Sequence, residues 1–123
     1  MRMWMLDPSI MCQKHLCGEH VEIHMMIGTL KQGKKIDGYI KNNLCEPRCI
    51  SIRHDMLAEE MVKRGYNHNS PICVEEVSEL ISKLPVVQLL YRVNQAQSKI
   101  DLLGRCEECR KRYEQIIKEK LSP

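Results

Sequence analysis

Phenylalanine is missing from this chain of 123 residues, so the core must fill its gaps with something else. Eight methionines, flexible and polarisable, are the residues available for that task. Also missing is any apolar run near the ~20 residues that a membrane-spanning helix needs. No basic leader runs into a short apolar stretch at the N-terminus. The chain is therefore expected to be cytosolic. Repeats and low-complexity tracts do not occur, and no stretch alternates as a strand would. A dominant charge sign is lacking too: the formal net charge of +3 tolerates a polyanionic partner without demanding one.

What is present suits a globular protein. A hydrophobic share of 43% with 28% charged residues argues against disorder. The length fits one domain over 1–123, which should bury roughly two-thirds of its unfolded surface. Seven cysteines, an odd number without a secretory leader, read as reduced thiols. Cys45 and Cys49 with Cys106 and Cys109 offer the donors of a four-sulfur zinc site. However, RCEECRKRYEQ reads as a helix interior, and no Gly-rich knuckle surrounds either pair. Core and helix-surface cysteines are the preferred reading, with no metal or organic cofactor.

Asp7-Pro8-Ser9 is a helix-start signature. From there to about Leu30, Cys12, Leu16, Ile23, Ile27 and Leu30 recur at helical spacing. Gly33 and then Asp37-Gly38 end that helix in a turn, and GYIKNNLCEPRC reads as irregular. A second helix is expected from about Ser51 to Arg64, capped by Gly65. A third spans about Val74 to Leu84, stopped by Pro85. The remainder from VVQLL onward is helical in pattern, with Gly104 as a candidate break. The expected fold is all-α, a compact domain of four or five helices.

The first helix carries an unusual crowd, QKHLCGEHVEIHMM. At about 100° per residue, His15, Glu19, Glu22 and Met26 fall within a sector of about 60°, beside the apolar stripe. Two carboxylates and an imidazole thus share an edge near the core boundary, where a partly buried cleft would lie. They lack the alternating signs that support a solvated helix face, although a solvated face remains one reading. His20 and His24 project elsewhere and read as structural histidines. The spacing E-H-V-E-I-H is not the H-E-x-x-H of a zinc protease.

The terminus adds a reagent. An α-amine has a pKa near 7.7–8.0, against about 10.4 for lysine. Slightly above neutrality roughly a third of it is neutral and nucleophilic, so it can form a Schiff base without special tuning. Arg2 is too bulky for the usual methionine-removing peptidase, so Met1 is expected to stay and to supply that nitrogen.

These residues resemble a known family. M-R at the terminus, H-L-x-x-E-x-x-E-[LI] on the first helix and the closing G-K are similar to the phage endonuclease V group of pyrimidine dimer DNA glycosylases. SIRHDMLAEEMVKRGYNHNSP resembles the family's later K-R-G-aromatic-N string, and the whole looks like a small bacterial and viral branch. The resemblance covers about the first 70 residues, and it implies an all-α fold in a bacterium or a virus-infected cell. It also implies attack of the N-terminal amine on C1′ of a damaged nucleotide, then β-elimination. Carried over residue by residue, Met1 is the nucleophile, Glu22 the essential carboxylate, Arg2 a phosphate contact and His15 the active-site imidazole, with Glu19 on the same edge. Lys31, Lys34, Lys35 and Arg53 are expected to extend the surface for a DNA backbone. Val21 and Met25 stand where dimer-acting members flank the glutamate with arginines, and IIKEKLSP replaces their aromatic-rich tail. The resemblance thus carries the Schiff-base chemistry further than the choice of lesion.

Two functions follow as expectations. One is a monomeric repair glycosylase and abasic-site lyase acting on damaged double-stranded DNA. The other is a non-enzymatic helical protein that binds nucleic acid or zinc.

Overall fold

In the computed structural model, which describes residues 2–122, the chain is all-α. Its α-helices are α1 (Gln13–Lys31), α2 (Asp37–Lys41), α3 (Ile50–Lys63), α4 (Val74–Ser82), α5 (Val86–Leu89), α6 (Gln95–Arg105) and α7 (Glu107–Leu121). Five of these run nine residues or longer, and α2 and α5 are single turns. No strand occurs among the described residues, and no helix is long and apolar enough to cross a membrane.

Several boundaries differ from the expectation, each for a local reason. Asp7-Pro8-Ser9 starts only a 3₁₀ turn, Pro8–Ile10, in which the Asp7 carboxylate accepts the Ser9 N–H at 2.9 Å. Cys12 is extended, and α1 begins anew at Gln13. The stretch read as a turn at Asp37-Gly38 closes into the short α2. Gly104 does not break the C-terminal segment. Cys106 does, extended at φ −119°, ψ 108°, as the cap between α6 and α7. Gly33 and Gly65 fill the expected places after α1 and α3 at φ +69° and +85°, a region where side chains are strained.

The α1 stripe behaves as its spacing implies. Leu16, Ile23, Ile27 and Leu30 are buried, and α1 packs chiefly on α3, whose Ile50, Leu57 and Met61 join the same core. The N-terminal segment is equally part of that core. Met3, Trp4 and Leu6 are buried, and the Met3 N–H donates to Leu44 O at 2.7 Å. Met3, Met11, Met26 and Met61 occupy core positions, as a chain without Phe requires.

One polar pair sits inside this apolar surface. Arg53 of α3, 1% exposed, meets Glu19 of α1, also 1% exposed, in a two-pronged contact. Its Nε lies 2.6 Å from Glu19 Oε2 and one terminal nitrogen 2.9 Å from Oε1. The other terminal nitrogen donates to Leu6 O. Burial pushes the Glu19 carboxyl above its usual range, and Arg53 pulls against that shift. Both residues were expected at a DNA-facing edge. The structure puts them in the interior instead, where they pin the N-terminal segment to α1 and α3.

Removing one partner would strand a buried charge, which costs about 3–5 kcal/mol. Arg53→Met and Glu19→Gln should each lower unfolding free energy by about that amount in urea denaturation. The double replacement by apolar residues should cost less than the sum.

Candidate active site

The extended N-terminal segment crosses α1 at Glu22. The Arg2 backbone N–H donates to Glu22 Oε2 at 3.1 Å, a bond made possible because Met3 and Trp4 are held in the core behind it. Met5, at φ +58°, turns the chain away from α1 after this crossing, a conformation that costs on the order of 1–2 kcal/mol for a non-glycine residue. Leu6, immediately after it, is fixed by Arg53. Met1 lies outside the described residues, so the proposed nucleophile itself is not placed.

Around that crossing the side chains are ordered by charge and stacking. The Arg2 guanidinium lies 3.9 Å from the Trp4 ring centroid and bonds Asp101 of α6 at 2.8 Å. The Arg2 contact, followed by a bond from Gln97, holds the Asp101 carboxyl below its usual range. His15 stands edge-on to Trp4, with ring centroids 5.9 Å apart. Burial pushes the His15 imidazole below its ordinary value, Lys14 adds to that shift, and Glu22 opposes it. The Glu22 carboxylate thus meets the first described peptide nitrogen, and guanidinium, indole and imidazole follow one another in contact beside it.

Residues 1–73 match the family described as pyrimidine dimer DNA glycosylase. The chain belongs to that family. No curated protein and no solved structure matches it. The match ends before α4 begins, so Asp101, which holds the family region's Arg2, comes from outside the matched stretch.

In this member of the pyrimidine dimer DNA glycosylase family, Arg2, His15 and Glu22 come together and the other expected residues do not join them. Lys31 sits nine residues beyond Glu22, about 14 Å along the helix axis, and pairs with Glu76 at 2.7 Å. Lys34 and Lys35 are exposed past the end of α1. Glu19 and Arg53 satisfy each other in the interior. Val21 and Met25, apolar at the two positions flanking Glu22 that the resemblance singles out, are 55% and 53% exposed on α1. Trp4 and Asp101 are the two site residues that sequence reasoning missed. Trp4 lies next to a recognised motif, but Asp101 gave no signal, since its role exists only after α6 docks.

Two groups place three or more donor atoms within 4.8 Å of one another: Cys12, His15, Cys106 and Cys109, and separately His20, His54 and His68. Cys45 and Cys49 belong to neither, so the four-sulfur set does not assemble among the described residues. Burial and the neighbouring Glu46 push those two thiols up to about 12 and about 11.

The histidine group is a hydrogen-bonded cluster between α1, α3 and the loop after it. His20 Nε2 lies 3.1 Å from His54 Nε2 and 3.0 Å from His68 Nε2, and His54 Nδ1 lies 2.9 Å from Asp55 Oδ1. The His24 ring is 4.9 Å from that of His20. Burial first, then His54, His24 and His68, push His20 down from 6.5 to about 4. An unfolded chain takes up this proton below pH 6.5 while the folded chain resists it, so stability should fall between pH 6.5 and about 4. Urea midpoints across that window should decline in the unaltered protein and decline less steeply in His20→Gln.

Proposed function

We propose that this protein is a DNA glycosylase with abasic-site lyase activity, acting as a monomer on damaged double-stranded DNA through the α-amine of Met1. The observation that carries the reading is the 3.1 Å bond from the Arg2 N–H to Glu22. Bond lengths alone keep an α-nitrogen within about 4 Å of the next amide nitrogen. In this reading the nucleophile is the amine of the residue that precedes Arg2, whose own N–H already meets the carboxylate.

The chemistry follows from those two groups. The neutral amine attacks C1′ of the damaged nucleotide, and the base departs with the glycosidic electron pair. Positive character develops on the sugar as that bond breaks, and the Glu22 carboxylate stabilises it at close range. Loss of a proton from nitrogen gives a glycosylamine; its nitrogen lone pair then breaks the C1′–O4′ bond, O4′ takes up a proton, and the opened sugar is joined to the protein as a protonated imine. Removal of a C2′ proton then expels the 3′ phosphate, cutting the strand, and water releases the protein from the imine. In this reading Glu22 also moves protons in these steps. Arg2 is the phosphate contact, and a phosphate there would exchange with Asp101 for the guanidinium. No cofactor is required. UV-induced pyrimidine dimers are the substrate that the family's description suggests, reached by drawing the lesion out of the stack.

Borohydride reduction during incubation with duplexes containing abasic or UV-damaged sites should trap a covalent protein–DNA adduct. Acetylating the terminus or adding one preceding residue should abolish both adduct and cleavage. Glu22→Gln should fold normally and lose activity by about 100-fold or more. Full activity with a blocked terminus contradicts the role of Met1, and full activity in Glu22→Gln contradicts that of Glu22. Failure to trap any adduct favours a non-enzymatic binding protein.

A further inference from the structure

The N-termini of α1 and α7 meet, and four ligand-type side chains meet with them. Cys12 caps α1 and Cys106 caps α7, and three residues after each comes a second donor, His15 and Cys109. The two short motifs, C-x-x-H and C-x-x-C, face one another across more than ninety residues of chain. Cys12 Sγ lies 3.2 Å from His15 Nδ1 and 3.8 Å from Cys106 Sγ, and Cys109 Sγ lies 3.8 Å from His15 Nδ1. All four donor atoms fall within 4.8 Å of one another.

Those separations are the edges of a coordination tetrahedron. With Zn–S bonds of about 2.3 Å and Zn–N bonds of about 2.0–2.1 Å, two sulfurs sit about 3.8 Å apart and a sulfur and a nitrogen about 3.5 Å. The backbone is arranged for thiolates as well. The Cys12 N–H points at Cys109 Sγ at 3.2 Å and the Cys109 N–H at Cys106 Sγ at 3.4 Å, donors that stabilise sulfur carrying negative charge. A disulfide needs its sulfurs about 2.05 Å apart, and every cysteine here is a free thiol.

The packing of α7 gives the site a purpose. Cys109 is the one buried residue of that fifteen-residue helix. Apolar burial holds α7 weakly, and the Arg112 bonds to Ser9 O, at 3.0 and 3.2 Å, are exposed. Something stronger is needed where Cys109 enters the core.

We propose that Cys12, His15, Cys106 and Cys109 form a structural zinc site that staples α7 to the start of α1. Three thiolates and one imidazole fill all four positions of a tetrahedral ion, the donor set that suits zinc and leaves no place for a substrate. Binding sends the three thiol protons to solvent. His15 ligates through Nδ1, so its Nε2 keeps a proton and can donate but not act as a base. In the Schiff-base reading His15 is then a positioning residue, holding Trp4 and through it Arg2. The zinc site does not depend on that reading.

The full chain, expressed and purified without chelators, should contain about one zinc per molecule by elemental analysis. Exchange into cobalt should give the intense visible bands of tetrahedral cobalt together with thiolate charge transfer. Cys106→Ser and Cys109→Ser should lose the zinc, whereas Cys17→Ser and Cys73→Ser should keep it. His15→Cys should retain metal with stronger charge transfer. The cobalt spectrum of the unaltered chain decides the matter even where a serine variant does not fold. Absence of zinc after refolding in its presence overturns the proposal. So does zinc retained in Cys106→Ser, a cobalt spectrum without thiolate bands, or a Cys12–Cys106 disulfide in the freshly purified protein.

Discussion

The buried contact between Glu19 and Arg53 governs where this chain's first residues lie. An ion pair in the interior contributes little net stability, because desolvating two charges offsets most of their attraction. Its value here is positional. Arg53 has more donors than one carboxylate can accept, and the remainder reaches Leu6 O and Met11 Sδ in the N-terminal segment. A segment that would otherwise fray is tied at alternate points along its length, and Arg2 is left facing Glu22, one helical turn from Glu19 on α1.

From that constraint the rest of the site follows in order. Trp4, fixed in the core, offers one face to the Arg2 guanidinium and meets the His15 ring edge-on. Asp101 draws Arg2 toward α6 and so links the region that matches the glycosylase family to the region that does not. The cysteine–histidine group makes a second link of the same kind, from α1 to α7. Both links join the two ends of the chain at the surface where the amine is proposed to work. The arrangement of residues 2, 15, 22 and 101 holds its geometry only while α6 and α7 stay docked.

The all-α fold and the buried stripe of α1 could be read from periodicity, since Leu16, Ile23, Ile27 and Leu30 recur at a spacing only a helix satisfies. Glu22 was singled out because its spacing from His15 marks one helix edge and because the N-terminal motif resembles a family, and the structure brings the Arg2 N–H to it. The burial of Glu19 and Arg53 was not legible for a physical reason: a charged residue looks exposed until its partner is known, and their partnership spans 34 positions. The same blindness affected the cysteines. C-x-x-C was visible at Cys106 and Cys109, but helical propensity across RCEECRKRYEQ hid the extended cap at Cys106. Their partners proved to be Cys12 and His15, brought up by the docking of α7, instead of Cys45 and Cys49. Asp101 had no local signal at all, because its meaning comes entirely from tertiary contact with Arg2.

We propose that the front of the chain, whose following segment is held by Arg53, supplies the nitrogen that reacts with DNA. Peptide mapping by mass spectrometry of the borohydride-reduced adduct tests it most directly. The reduced sugar remnant should be carried on the α-nitrogen of Met1. A remnant on a lysine side chain, such as Lys14 or Lys34, would contradict it.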